Sequence, residues 1–225
     1  MKVSLIIPIY NEMGKIEQCL ENLRSLPDDL EIIFADGGSS DGTAGMIPKD
    51  FTVINCPKGR AKQMNCAAKE AHGDVLWFSH CDSILPATGV SEILAAVKKG
   101  ARFGCFHIAF DYVAPFMKWN RFLSNLRATA NHIAFGDQGI FMTRELFDSC
   151  GGFPDLPIME DYELSLRMLK NKVKLHVMPS TIVTSGRRYM GQYPLKTMWQ
   201  MYNLRKLYKK GMDIEEISRR YKDIR

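Results

Sequence analysis

The sequence predicts an α/β fold: a mostly parallel central sheet flanked by helices and followed by a helical, basic C-terminal tail. Three observations carry that prediction. Strand-length runs at Val3 to Ile9, Glu31 to Ala35 and Val75 to Ser79 are almost continuously apolar, as strands buried on both faces of a parallel sheet must be. Stretches with helical spacing alternate with them. Asp36 and Asp82 stand just past two of these runs, and in open sheets of this class ligands sit outside the carboxyl ends of the strands.

At 225 residues, 46% hydrophobic and 24% charged, the chain can build one large core. A single domain over 1–190 is expected, with a helical extension, 191–225, packed on it. The apolar run from Val3 is too short to span a bilayer or to act as a secretory signal, and a cytoplasmic protein is expected. Six scattered cysteines with no C-x-x-C spacing fit a reducing compartment and core filling. Cys81 lies between His80 and Asp82, but adjacent strand residues point to opposite faces, which argues against a soft-metal site. Of the net charge of +5, residues 186–225 carry eleven Lys/Arg against four Asp/Glu. That imbalance suits a phosphate-bearing ligand or an anionic membrane surface; a solvated helix face is the plainer explanation.

Taken in order, the first strand is limited by Pro8 and followed by Tyr10-Asn11-Glu12; Ile16, Leu20, Leu23 and Leu26 then recur with helical spacing up to Pro27. The second strand runs into Asp36-Gly37-Gly38-Ser39-Ser40-Asp41-Gly42-Thr43, where the backbone must turn sharply or approach something closely. Asp41 reads as a helix cap. Asp36 has less need of such a role and is assigned to ligand contact. A short strand, Phe51 to Asn55, leads into a small-residue helix from Arg60 that includes Gln63. Cations in a first turn oppose the helix dipole unless an anion binds there, so Arg60 is either a diphosphate or base contact or a solvated arginine.

After the central strand, Asp82 either opens a turn before Pro86 or faces a cation. A helix near Val90 to Lys98 and a strand from Arg102 to Phe110 follow. Pro115 then opens an amphipathic helix whose Phe116, Trp119, Phe122 or Leu123, and Leu126 share one face; packing is its plain reading and an apolar acceptor floor the other. Gly136-Asp137-Gln138-Gly139 precedes a strand at Ile140 to Thr143. Glu160, Asp161 and Glu163 begin a helix whose dipole they complement, or else supply a general base that activates an incoming hydroxyl. Strands at Val173 to Met178 and Ile182 to Thr184 lead to Ser185-Gly186-Arg187-Arg188, a basic loop suited to phosphate through bidentate pairing. In the tail, Trp199, Tyr202 and Leu207 follow one stripe and Arg205, Lys206, Lys209 and Lys210 another. Gly211 ends that helix, and Asp213 with Glu216 opens a last one.

Strand-end acids, a cationic helix start, a basic loop and a helix-start carboxylate suit a nucleotide diphosphate held with a divalent cation. Over about residues 1–190 the chain resembles the family-2 inverting glycosyltransferases of the GT-A fold: Pro8-Ile9-Tyr10-Asn11-Glu12 and Asp36 to Thr43 look like the two N-terminal signatures of that family. The resemblance implies that Pro8, Tyr10, Asn11, Glu12 and Asp36 hold the nucleoside of a sugar donor, UDP- or GDP-linked. It puts His80-Cys81-Asp82 in the place of the family's Asp-x-Asp motif, with Asp82 as the ligand of Mg²⁺ or Mn²⁺ and His80 replacing the first acid. Glu160-Asp161 resembles the Glu-Asp pair that makes Asp161 the base of a direct displacement with inversion. Gly136, Asp137 and Gln138 fall on the acceptor side; Arg60, Gln63, Arg187 and Arg188 are assigned to the donor's base and diphosphate. The chain looks like a compact bacterial-type subgroup without membrane spans.

Two alternatives keep this fold: a nucleotide-sugar-binding protein without activity, and a transferase acting on a lipid-phosphate acceptor at the membrane, docked by the Trp119 stripe and the basic tail, peripheral to the inner face of the cell membrane. A nucleotidyltransferase would require further metal acids and a basic signature near the N-terminus, where Asn11-Glu12 stands instead. A sugar, lipid or small-molecule acceptor is expected, and no nucleic acid.

Overall fold

The computed structural model describes residues 1–190 and 194–222, excluding the side chains of Arg188, Pro194 and Lys222. Among the described residues the strands are β1 (Val3–Ile9), β2 (Glu31–Asp36), β3 (Thr52–Asn55), β4 (Val75–Phe78), β5 (Ser83–Ile84), β6 (Phe103–Phe110), β7 (Phe141–Thr143) and β8 (Leu175–Thr184), in one sheet of order β3-β2-β1-β4-β7-β6-β8-β5. The helices are α1 (Met13–Leu23), α2 (Arg60–Glu70), α3 (Gly89–Lys98), α4 (Pro115–Asn131), α5 (Arg144–Cys150), α6 (Glu160–Lys170), α7 (Pro194–Lys209) and α8 (Ile214–Lys222).

Pairing of β3, β2, β1 and β4 is parallel, as is that of β6 with β8; β7 runs against β4 and β6, and β5 against β8. The carboxyl ends of β1, β2 and β4 therefore share one edge, where Tyr10, Asp36 and the turn after Phe78 emerge. Side chains alternate across the sheet. Ile6, Leu76 and Phe78 pack beneath α2 and α5, while Leu5, Ile7 and Trp77 pack with α1 and α3 on the other face. The link from α2 to β4 is fixed by Arg144, whose guanidinium donates to the carbonyls of Ala68 (3.1 Å), Ala71 (2.6 Å) and Gly73 (2.9 Å). A third apolar cluster joins Met159 and Tyr162 at the start of α6 to Leu204 of α7 and Ile217 of α8, so the tail helices share a core with the edge of the site.

Two expectations are corrected. The strands read at Val173 to Met178 and Ile182 to Thr184 are one strand, β8: its pairing with β6 passes from Met178 opposite Phe106 to Thr181 opposite His107, leaving Pro179 and Ser180 outside the register. Pro179 has no N–H for the ladder, and a bulge absorbs it. The apolar stripe of α4 does not pack inward. Its inner face consists of Met117, Ser124 and Ala128, while Trp119, Phe122, Leu123 and Leu126 are exposed. Among the described residues no helix is long and apolar enough to cross a membrane.

Candidate active site

At the donor end, the loops after β1 and β2 hold each other. Asn11, with φ of 54°, accepts from the Ser40 amide through Oδ1 (2.9 Å) and donates its own amide to Ser39 Oγ (3.0 Å). The Glu12 amide donates to Thr43 Oγ1 (2.8 Å), and its carbonyl accepts from Lys15 and Ile16 in the first turn of α1. Asp41 accepts from the Met13 amide (3.0 Å) as well as from Thr43, so it caps α1 from the neighbouring loop rather than only its own turn. The Asp36 carboxylate is 3% exposed and accepts the Ser39 hydroxyl (2.6 Å) and amide. Tyr10 lies beneath Lys58, whose Nζ is 3.9 Å from the ring centroid.

Pro8 lies within β1, opposite Ala35. Gln63 does not open toward the crevice: its buried amide donates to the carbonyls of Ile9 and Ala35, both at 2.7 Å, and clasps the ends of β1 and β2. That clasp also explains Gly37, where a Cβ would stand 3.0 Å from the Gln63 amide carbon.

The second half of the site forms around Gly136. Asp161, in the first turn of α6, accepts the Gly136 amide through Oδ2 (2.7 Å) and the Tyr162 amide through Oδ1 (2.6 Å). A Cβ on Gly136 would come 2.8 Å from His80 Nε2 and 3.5 Å from Asp161 Oδ2. Thus His80, Gly136 and Asp161, from three separated stretches, crowd one point. His80 to Ser83 form a turn, closed by the Ser83 amide on the His80 carbonyl (3.2 Å). Cys81 is buried there, its thiol pKa pushed up first by contact with Cys19 and then by burial, which leaves it in the core. Asp82 Oδ2 meets Arg187 Nη2 at 3.6 Å. The Arg187 loop is itself held by Asp111, which accepts the Gly186 amide (2.6 Å). The side chain of Arg188 lies outside the described residues.

Arg60 turns to Glu160, with Nη1 3.3 Å from Oε1. Burial raises the Glu160 carboxyl above its ordinary range; Arg60 opposes that rise and Asp161 adds to it. The side chain of Gln138 is fully buried and accepts from Arg127 Nη2 (2.8 Å) and the Phe135 amide (3.2 Å) while donating to the Phe106 carbonyl (3.3 Å). It locks the turn that presents Gly136. Arg127 and Arg205 both lie over the Phe135 ring, with Cζ at 3.6 and 5.4 Å from the centroid, and Asp137 bears electrostatically on both. Burial pulls the Arg127 guanidinium down to about 10, with Asp137 acting against that pull and Arg205 with it. Sequence reasoning missed Arg127 and Arg205 at this site, and Asp111. The available signal was that α4 contains no acidic partner for its arginines.

A divalent cation at Asp82 would find one carboxylate: among the described residues no three His, Cys, Asp or Glu side chains gather as a preformed site. One carboxylate, open enough that the side chain is 22% exposed, fits Mg²⁺ or Mn²⁺ carried on a diphosphate, whose remaining ligands are phosphate oxygens and water.

Acids at the carboxyl ends of parallel strands on one side, and the carboxylate-bearing start of α6 on the other, are the arrangement of an α/β protein whose ligand site lies outside its strand ends. The Glycosyl transferase family 2 profile matches residues 4–153, and the chain belongs to that family. The probable glycosyltransferase YdaM of Bacillus subtilis is 25% identical over 217 residues, covering 80% of this chain and 50% of its own. The chain thus spans about half the length of that relative. Of solved structures, S. aureus TarS in complex with UDP-GlcNAc superposes with a TM-score of 0.68 at 18% identity, over 87% of this chain and 61% of TarS. The mannosyltransferase PcManGT of Pyrobaculum calidifontis, in complex with GDP-Man and Mn²⁺, gives 0.64 at 22% identity, over 99% and 69%. The fold is that of the GT-A glycosyltransferases.

Proposed function

We propose that this chain transfers a sugar from a nucleotide-diphosphate donor to an acceptor hydroxyl by a single displacement that inverts the anomeric carbon, using the His-x-Asp variant of the family motif. The observation that carries the reading is the position of Asp161: its carboxylate is fixed by two backbone amides at the point where His80 and the Gly136 turn meet. Oriented in this way, Asp161 takes the proton of the acceptor hydroxyl as that oxygen bonds to the anomeric carbon. The bond from the anomeric carbon to the diphosphate oxygen breaks in the same step, and the electron pair leaves with the nucleoside diphosphate. The transition state is oxocarbenium-like, so alignment and leaving-group charge matter more than base strength.

Arg187 stands on the leaving-group side, beside Asp82. Mg²⁺ or Mn²⁺ held by Asp82 and the diphosphate would offset the charge that develops there. Tyr10, Glu12 and Asp36 line the nucleoside end, in a frame set by the Asn11 and Asp41 contacts. Gly136, Asp137 and the two arginines above Phe135 form the acceptor side. The bound donors of TarS and PcManGT, UDP-GlcNAc and GDP-Man, support a uridine or guanosine donor.

Thermal shift against UDP-, GDP-, dTDP- and CMP-sugars, each with and without Mn²⁺, tests the reading, because a ligand that binds only the native state must raise its melting temperature. One nucleotide stabilising the protein more strongly with metal is expected, followed by release of that nucleoside diphosphate when acceptors are supplied. Absence of a shift from every donor would overturn the assignment of the crevice to nucleotide sugars.

A further inference from the structure

Two helices beside the site carry apolar stripes that the core does not use. On α4, Trp119 is 65% exposed, and Phe122, Leu123 and Leu126 continue its face. The stripe follows i, i+3, i+4, i+7 spacing, the pattern that normally points inward. On α7, Leu195, Trp199 and Tyr202 form a second such face, with Leu195 and Trp199 each 65% exposed. The helices approach one another through Phe135, over which Arg127 of α4 and Arg205 of α7 both lie. They also flank the site: Phe110, at the end of β6 leading to α4, touches Tyr189 just before α7, on the loop that brings Arg187 to Asp82.

Neither helix contains an acidic residue. Lys118 and Arg121 border the α4 stripe; Lys206 and Lys209 border the α7 stripe, and all four are exposed. Between α7 and α8 a groove of about 520 Å³ is lined by Trp199, Leu207, Lys206 and Lys210, with Arg220, which pairs with Glu216 at 2.8 Å, at its α8 side. Exposed tryptophan and leucine rimmed by lysine and arginine are the composition of a helix lying in a bilayer interface, its apolar face among acyl chains and its cations among headgroups. A second copy of this chain would set one acid-free basic face against another, which costs like-charge repulsion.

We propose that the outward faces of α4 and α7 dock this protein on an anionic bilayer, with the mouth of the crevice at the membrane surface. The test uses purified full chain, without donor or acceptor, so its outcome is independent of transfer activity. In vesicle flotation the protein should rise with phosphatidylcholine mixed with phosphatidylglycerol and stay behind with phosphatidylcholine alone, and added salt should weaken the binding. The double variant Trp119→Ser/Phe122→Ser and, separately, Lys206→Glu/Lys209→Glu should each lower the bound fraction by roughly tenfold. Their unfolding midpoints should remain those of the parent, since these side chains are exposed. Failure to float with either lipid, or unchanged flotation in both variants, would overturn the proposal. So would a dimer in sedimentation velocity that Trp119→Ser/Phe122→Ser disperses while lipid binding is absent.

Discussion

The amide of Gly136 donates to Oδ2 of Asp161 over 2.7 Å, and His80 Nε2 would stand only 2.8 Å from any Cβ placed on that glycine. The absence of a side chain at position 136 thus lets His80 and the Asp161 carboxylate approach the same point. Gly136→Ala should push His80 and Asp161 apart and lower kcat by about tenfold to a hundredfold, since small misplacements in an aligned site carry large rate penalties. His80→Ala removes the clashing ring, so the double variant should lose less than the product of the single losses. Steady-state kinetics on the four proteins measure that coupling; strictly multiplicative losses would mean the two residues act separately.

If Asp161 is the base, Asp161→Asn keeps the shape of the side chain but removes the acceptor for the hydroxyl proton. A fall in kcat of about 10²- to 10⁴-fold is expected, with donor affinity by calorimetry unchanged. Turnover at the wild-type rate would remove Asp161 from the base role.

Glu160 gives a pH dependence with a definite sign. Burial raises its carboxyl, partly offset by Arg60. A carboxyl raised on folding contributes stability that is fully present below its unfolded pKa, about 4.3, and is lost as pH climbs through the folded value. Arg60→Ala removes the offset, so its urea midpoint should fall further below wild type at pH 8 than at pH 5. Glu160→Gln, neutral throughout, should lack the Glu160 part of that decline. Parallel midpoints for wild type and both variants across the interval would contradict the argument.

The strand-end acids were legible in the sequence because a strand buried on both faces is a continuous apolar run, and the first acid after it must lie at the sheet edge. The position of Asp161 in the first turn of a helix was legible because three acids precede a run with helical spacing. Gln63 was not: its amide is consumed by the carbonyls of Ile9 and Ala35, and that clasp exists only once two strands distant in sequence have paired. Arg60 is a cation without a local partner in sequence, and only the fold brings it Glu160 from 100 residues away. Helical periodicity located the α4 stripe but not its direction. An apolar face is the same pattern whether it meets a core or solvent, and here Ser124 and Ala128 allow the close inner approach while the large residues face out.

Asp82 and Arg187 are expected to contribute to donor binding in different ways. Asp82 offers a carboxylate to a divalent cation, while Arg187 brings its own charge to 3.6 Å from that carboxylate. If the cation is held there, Asp82→Ala should remove the difference between donor affinities measured with Mn²⁺ and with chelator, leaving a weak, metal-independent affinity. Arg187→Ala should weaken binding in both conditions and keep the Mn²⁺ increment, since the diphosphate loses one cationic partner but Asp82 stays. Titration calorimetry on wild type and the two variants, each with Mn²⁺ and with chelator, separates these effects. An Mn²⁺ increment that survives in Asp82→Ala would place the metal on other residues.

A last prediction separates the scaffold from the chemistry. Arg144 closes the carboxyl end of α2 with three hydrogen bonds from one guanidinium, to Ala68, Ala71 and Gly73, and none of these carbonyls belongs to the crevice. Arg144→Ala leaves carbonyls at a helix end to find water instead, and should cost about 3 kcal/mol in urea unfolding, the scale set by charge-assisted bonds partly replaced by solvent. Because α2 also carries Gln63, which ties the ends of β1 and β2, the loss bears on the scaffold beneath the donor loops rather than on a group that touches the sugar. Donor affinity and kcat measured well below the lowered melting temperature should therefore stay within about twofold of wild type. A large drop in kcat at unchanged stability would mean that Arg144 acts on the site itself, contrary to the placement of its bonds.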